Sequence, residues 1–206
     1  MESGVLREYV RKHGDNVVAV MHVKRQLLLL VGIVSIATLP LPVGVRIAEG
    51  AQQQVGVTLT YDPAYVSLRY PGGDVPVSRG VCADVVVRAF RVAGIDLQRA
   101  VHEDMLGAFK RYPPLWGLSH PDANIDHRRV PNLMKFFERH GKTASGGFLP
   151  GDVVAWRLPG GLLHIGVVSA EVASQTKHPL MIHNIGNGAQ KEDVLFAYTI
   201  IGHYRW

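Results

Sequence analysis

The feature that most constrains this chain is a change in the spacing of its apolar residues at Pro150. Before Pro150, three segments carry apolar side chains at helical spacing, at 82–94, 98–111 and 130–140. After it, short segments alternate with a period of two and are separated by turns rich in Gly and Pro. Helices followed by strands predict an α+β domain, with N-terminal helices packed on a C-terminal antiparallel sheet.

The composition is typical of one packed domain, since 47% of the 206 residues are hydrophobic and 19% are charged. The formal net charge of +5 is small and scattered along the chain, which argues against nucleic acid as a partner. Histidines and carboxylates are present, but not at the paired spacings of metal ligands. We therefore predict no metal and no other cofactor, and the sequence leaves the oligomeric state open.

An apolar run at 27–39 follows Lys24 and Arg25 and precedes prolines, which is the pattern of a bacterial secretion signal. Small residues just before Ala51 offer a cleavage site. A permanent membrane anchor is the alternative, because the run can be extended to nearly spanning length. With either, the rest of the chain is expected outside the cytoplasm, in the periplasm or secreted, and touches a membrane only through this segment.

The signal is complete from Met21 onward, so one explanation of residues 1–20 is a mis-assigned extension ahead of the true start. The predicted organisation is therefore an extension at 1–20, a signal or anchor at 21–50, and one domain at 51–206.

Cys82 is the only cysteine, so an internal disulfide is excluded. It lies where a turn-rich segment becomes a helix, and free N–H groups at a helix start lower a thiol pKa. The same groups can receive the oxyanion that forms when a thiolate attacks a carbonyl. The alternative is a small apolar residue on the buried side of the helix.

Two histidines stand in the predicted strands. His164 lies in LLHIGVV, where alternation puts it on the same face as Gly166, and the glycine leaves room for a close approach. His183 lies in LMIHNIG on the next strand, where it could fix the tautomer and orientation of His164. Each alone could be a satisfied core histidine, but a cysteine at a helix start with both is less expected by chance.

The stretches RYPGGDVPVSRGVCADVVVRAF, PGDVVAW, HIGVV and MIHNIG resemble successive blocks of the NlpC-type cell-wall cysteine peptidases, which belong to the papain-like superfamily. The stretches PGGDVP, GIDLQ, NIDHRRVPNL, HNIG and GHYR resemble more closely a bacterial family, domain of unknown function 1287, over about residues 61–206.

The resemblance implies a papain-like domain in which Cys82 is the nucleophile, His164 the base and His183 the orienting residue. It also implies that the Tyr70 hydroxyl assists the oxyanion site. The expected activity is hydrolysis of an amide bond, with a peptidoglycan or other cell-envelope peptide as substrate. The NlpC-type block is Asp-Cys-Ser-Gly, whereas this chain has Val-Cys-Ala-Asp, so stem-peptide specificity does not carry over.

Five further residues are candidate substrate contacts, each with a structural alternative. Asp84 meets a cationic substrate group, or it caps the helix. Arg128 or Arg129, beside His127, grips a substrate carboxylate, or the arginines pair with protein carboxylates. Asn184 is a ligand or a turn former.

Two other functions remain open. The same three residues could transfer the acyl group to another acceptor or cleave an ester. The domain could instead be a non-catalytic module that binds the cell envelope, with Cys82 merely packed in the core.

Overall fold

A computed structural model describes residues 40–206. In this range the chain forms four α-helices and seven strands. In chain order they are α1 (Val43–Gln52), β1 (Thr60–Tyr61), β2 (Arg79–Gly80), α2 (Cys82–Val92), α3 (Leu97–Ala108), α4 (Val130–Arg139), β3 (Val153–Arg157), β4 (Leu163–Val172), β5 (Pro179–Asn184), β6 (Ala189–Glu192) and β7 (Thr199–Tyr204). Short 3₁₀ turns at Phe109–Arg111 and Asp126–Arg128 follow α3 and precede α4.

The predicted α+β class is confirmed. Strands β3 to β7 form one five-stranded sheet in the order β6-β5-β4-β3-β7, and all neighbouring strands are antiparallel. Strands β1 and β2 form a separate two-stranded parallel ladder directly before α2. The three predicted helices appear as α2, α3 and α4, and two of them are followed by glycines with positive φ, Gly94 and Gly141.

The sheet has two apolar faces. On the first face Ile165, Val167 and Ile182 pack with the helices, including α1 and most of α2. On the second face Trp156, Val168 and Met181 form a smaller core with Leu195. Because side chains alternate along a strand, each of β4 and β5 contributes to both cores.

Two elements were not predicted from the sequence, helix α1 before the predicted domain and strand β6 in the sheet.

Helix α1 also bears on the predicted cleavage site. Its residues Ile47 and Ala51 are fully buried in the main core, so the packed domain begins before residue 51. A cut before Ala51 would divide this helix. The apolar run at 27–39 and residues 1–20 lie outside the described residues. No helix within residues 40–206 has the length and hydrophobicity needed to cross a membrane.

Candidate functional site

Cys82 is the first residue of α2, as the sequence predicted. Val81 before it is extended, with φ −104°, and its N–H donates to Asp84 Oδ2 at 2.7 Å. The N–H of Asp84 donates in turn to the Val81 carbonyl at 3.0 Å. Within residues 40–206 the N–H groups of Cys82 and Ala83 have no backbone acceptor, so both remain available beside the sulfur.

The Cys82 thiol is buried, and its pKa is raised, whereas the sequence predicted that the helix start would lower it. Burial raises the pKa of Cys82 to about 11, although the N–H groups of Ile165, Ala83 and Cys82 itself act to lower it. Desolvation therefore outweighs the helix start, because a thiolate loses more hydration in the core than these N–H groups restore. The resting cysteine is a neutral thiol.

His164 lies near the start of β4 on the second face of the sheet. It is buried, and its ring stacks on Trp156 with centroids 5.7 Å apart. Burial lowers the pKa of His164 to about 3, with a further contribution from His183. Only Nε2 of this ring is hydrogen bonded to any residue in the described range, which leaves Nδ1 free.

His183 on β5 is the partner that His164 was predicted to have. Its Nδ1 lies 2.8 Å from His164 Nε2, and the rings meet nearly edge to face at 77°. Burial is also the main cause that lowers the pKa of His183. The two buried imidazoles are therefore neutral near neutral pH.

Gly166 allows this pair to form. A Cβ at this position would lie 2.9 Å from the Ile182 carbonyl oxygen, 3.0 Å from the Cβ of His183 and 3.2 Å from the Trp156 ring. The space that the sequence predicted beside His164 is therefore filled by His183 and Trp156. A side chain at position 166 would push His183 away from His164.

Cys82 approaches the histidine strand through its backbone. The N–H of Ile165, the residue after His164, acts on the Cys82 sulfur. The pairing of β4 with β5 ends at Val167 and Ile182 on this side, so Ile165 lies beyond the paired segment. No hydrogen bond joins the Cys82 sulfur to either imidazole among residues 40–206. The thiol packs in the first core with Ile165, whereas the imidazole pair lies beside Trp156 on the second face, so the described residues link them only through the backbone of β4.

Asp84 and Arg128, two predicted substrate contacts, bind each other instead. Arg128 Nε and Nη2 donate to the two carboxylate oxygens at 2.8 and 3.0 Å, and both side chains are buried. The remaining donors of Arg128 reach the carbonyls of Ala64 and Asp62. Asp84 also caps α2 through Val81. These groups are used up in holding the helix start, which leaves nothing for a substrate.

The other predicted contacts are also tied to the fold. His127 is buried, and desolvation lowers its pKa to about 4. Asn184 is fully buried; its Nδ2 donates to the Gly80 carbonyl at 2.9 Å and fixes the end of β5 beside β2. Arg129 stacks on Trp116 at 4.0 Å and lies 3.6 Å from Asp126. Arg129 also lines a cavity of about 260 Å³ between α3 and α4.

Tyr70 is not brought beside Cys82. Its ring lies edge-on to His102 at 5.1 Å, and the charged groups that act on its hydroxyl are Glu103, Arg99 and Asp96. Tyr61 on β1 is the tyrosine whose pKa responds to Cys82, after the larger effect of burial. No pattern in the sequence pointed to Tyr61, because the β1–β2 ladder directly before the cysteine helix involves only two residues on each strand.

The profile of the family Domain of unknown function (DUF1287) matches residues 48–206. The chain belongs to this family. "Uncharacterized protein YijF" of Escherichia coli (strain K12) is 59% identical over 165 residues, which cover 78% of this chain and 80% of that protein. The predicted DUF1287 family is thus confirmed, and its profile begins within α1, in agreement with a domain that starts before residue 51.

Two side chains that contact the histidine pair were not predicted from the sequence. Trp156 stacks on His164, and Glu192 on β6 has its Oε2 3.0 Å from His183 Nε2. Trp156 stood in the stretch PGDVVAW, and its pairing with His164 across β3 and β4 could have been found from the strand register. Glu192 carried no signal, since the segment AQKE lacks the apolar alternation of a strand.

Proposed function

We propose that this protein is an exported cysteine hydrolase of papain-like, NlpC-like type that cleaves an amide bond, with a peptidoglycan peptide as the first substrate to test. The proposal combines the sequence resemblance with one observation that carries it. A buried, neutral His164 is hydrogen bonded to His183 through Nε2 and keeps Nδ1 free, next to a residue whose N–H acts on the lone thiol.

In the proposed reaction His164 acts as a general base. Because the thiol is neutral at rest, its proton passes to His164 Nδ1 as the sulfur attacks the substrate carbonyl. This step requires the Cys82 sulfur to reach Nδ1 around the start of β4, one residue from its contact with Ile165. The C–N bond then breaks, the imidazolium returns the proton to the leaving amine, and water hydrolyses the thioester.

The oxyanion of the tetrahedral intermediate needs donors. The N–H groups of Cys82 and Ala83 fit this role because no backbone acceptor in residues 40–206 takes them. In this proposal Tyr61, whose pKa Cys82 helps to raise, replaces Tyr70 as the tyrosine that assists. Asp84 and Arg128 hold the helix start and do not contact the substrate.

The experiment is digestion of purified sacculi, with the products identified by mass spectrometry. We expect new amine and carboxyl ends from wild type and none from Cys82→Ala, because the substitution removes the nucleophile. Cys82→Ser is the matched control for volume, and it should be nearly inactive because a hydroxyl is a far weaker nucleophile. Release of the same products by Cys82→Ala would disprove the mechanism.

One observation favours a second function, a non-catalytic module that binds the cell envelope. The Cys82 thiol is buried in the main core with a pKa of about 11, as an inert packed cysteine would be. Since the chain has one cysteine, iodoacetamide reports on it alone. A hydrolase should be alkylated in the native state at pH 7.5, and more slowly after His164→Ala. A binding module should be alkylated only after unfolding.

A further inference from the structure

A carboxylate stands at the far end of the imidazole pair. Glu192 Oε2 lies 3.0 Å from His183 Nε2, the nitrogen that does not face His164. Strand β6 pairs Glu192 with Met181, and alternate residues of β5 share a face, so Glu192 lies diagonally across from His183. The Nε2 atom is buried and, within residues 40–206, has no aligned hydrogen-bond acceptor, so the oxygen of the 46% exposed Glu192 at 3.0 Å is its one polar contact.

Glu192 is not occupied by another charge. Its neighbours along the chain are paired elsewhere: Lys191 binds Glu171 on β4, and Asp193, just after β6, contacts His178. Within residues 40–206, His183 is the one charged or titratable partner of Glu192. The carboxylate is therefore available to the imidazole pair.

The order of donors and acceptors then follows from chemistry. An ionised carboxylate only accepts hydrogen bonds, so the proton of a neutral His183 belongs on Nε2. Its Nδ1 must then accept, and the atom 2.8 Å away, His164 Nε2, must donate. A neutral imidazole has one N–H, so a proton on His164 Nε2 leaves a lone pair on Nδ1.

We propose that Glu192 is a positioning residue that sets the tautomers of both histidines and so makes Nδ1 of His164 the free base. The opposite order would be equally good as a hydrogen bond between the rings, with His183 Nδ1 donating to His164 Nε2. That order puts the proton on His164 Nδ1, where it blocks proton abstraction. The Glu192 carboxylate disfavours this opposite order, because the order would leave a lone pair on His183 Nε2 facing the negatively charged oxygen.

The inference deepens the proposed function, on which the use of the lone pair rests. The tautomers themselves are a property of the resting protein and need no substrate. They can therefore be tested separately from catalysis.

The test is ¹⁵N NMR of the full chain labelled at histidine, at pH 7.5, with His164→Gln and His183→Gln used to assign the two rings. In wild type we expect the proton on Nε2 of both rings. Glu192→Gln keeps the shape but replaces the carboxylate by an amide that both donates and accepts. We expect about half of His164 to carry the proton on Nδ1 in this variant, because neither order is then preferred.

The matched control is Glu171→Gln, which removes a similarly exposed glutamate that pairs with Lys191 and does not touch a histidine. It should leave both tautomers unchanged. Glu192→Asp keeps an acceptor and should retain the wild-type tautomers. If the wild-type protein digests sacculi, kcat of Glu192→Gln should fall in proportion to the fraction of His164 that is protonated on Nδ1. KM should be unchanged.

A proton on His164 Nδ1 in wild type, or unchanged tautomers in Glu192→Gln, would overturn the inference. A kcat that falls in Glu192→Gln without any change of tautomer would do the same, because it would assign Glu192 another role. Wild-type protein with the expected tautomers and no hydrolysis would instead refute the proposed function and leave the tautomer assignment standing.

Discussion

Two buried polar clusters, Asp84 with Arg128 and His164 with His183, differ in how completely their hydrogen bonds are satisfied. Around Arg128, the guanidinium donates to both oxygens of Asp84 and to two backbone carbonyls. In the imidazole pair, by contrast, His164 uses only Nε2 in the described part of the chain. The first cluster is closed and holds the start of α2, whereas the second leaves His164 Nδ1 without a hydrogen-bond partner among the described residues.

The comparison teaches that residue type alone does not tell a buried polar residue that only supports the fold from one that has an atom left for another partner. Both clusters are charged or titratable and buried. They differ in the donors and acceptors left without a partner, because a saturated group has nothing further to bind.

The largest effect we expect is on the closed cluster. Asp84→Ala leaves the Arg128 guanidinium buried without its carboxylate and removes the cap of α2. The free energy of unfolding should fall by roughly 3–5 kcal/mol, the range for breaking a buried ion pair. Urea denaturation measures this change. Asp62→Ala is the control, because its partner Arg79 is exposed and such pairs contribute about 0–1 kcal/mol. Equal losses in both variants would contradict the structural role.

Substitutions in the imidazole pair should change the rate of hydrolysis. His164→Ala removes the proposed base, and the rate of peptide hydrolysis should fall by about 10²–10⁴-fold. His183→Asn leaves the base in place but poorly oriented, so a measurable rate should remain. Steady-state kinetics of the two folded variants provide the comparison. If His183→Asn were as inactive as His164→Ala, His183 would need a more direct part in the reaction.

The smallest effect concerns acid sensitivity. His127 is buried with a pKa of about 4, so between pH 6.5 and 4 the unfolded chain binds a proton that the folded chain excludes. Stability should therefore rise with pH across this window and be lost as the pH falls. His127→Gln should reduce the slope of unfolding free energy by about 1.4 kcal/mol per pH unit.

Urea denaturation at pH 5 and pH 6 measures that slope. His120→Gln is the matched control, since it makes the same substitution at an exposed histidine. A slope in His127→Gln equal to that of wild type would show that His127 is protonated in the folded protein. The buried His164, with a pKa of about 3, should contribute a similar slope.

The sequence by itself determined the α+β class, three of the four described helices and the face shared by His164 and Gly166. These follow from local periodicity and from glycines that end helices, which need no knowledge of distant residues. The sequence also determined the DUF1287 family. The pairing of His164 with His183 could also be predicted from the sequence, because successive antiparallel strands lie next to each other in the sheet.

Only the tertiary structure decided what each polar residue near Cys82 does. Whether Arg128 meets a substrate or Asp84 depends on contacts between residues 44 positions apart. The choice of Tyr61 over Tyr70 depends on a two-residue ladder, and the place of Glu192 on a strand without apolar alternation. The Cys82 pKa likewise depends on burial by distant elements. Periodicity reports which face a side chain takes, but desolvation and pairing are set by what the folded chain brings to that face.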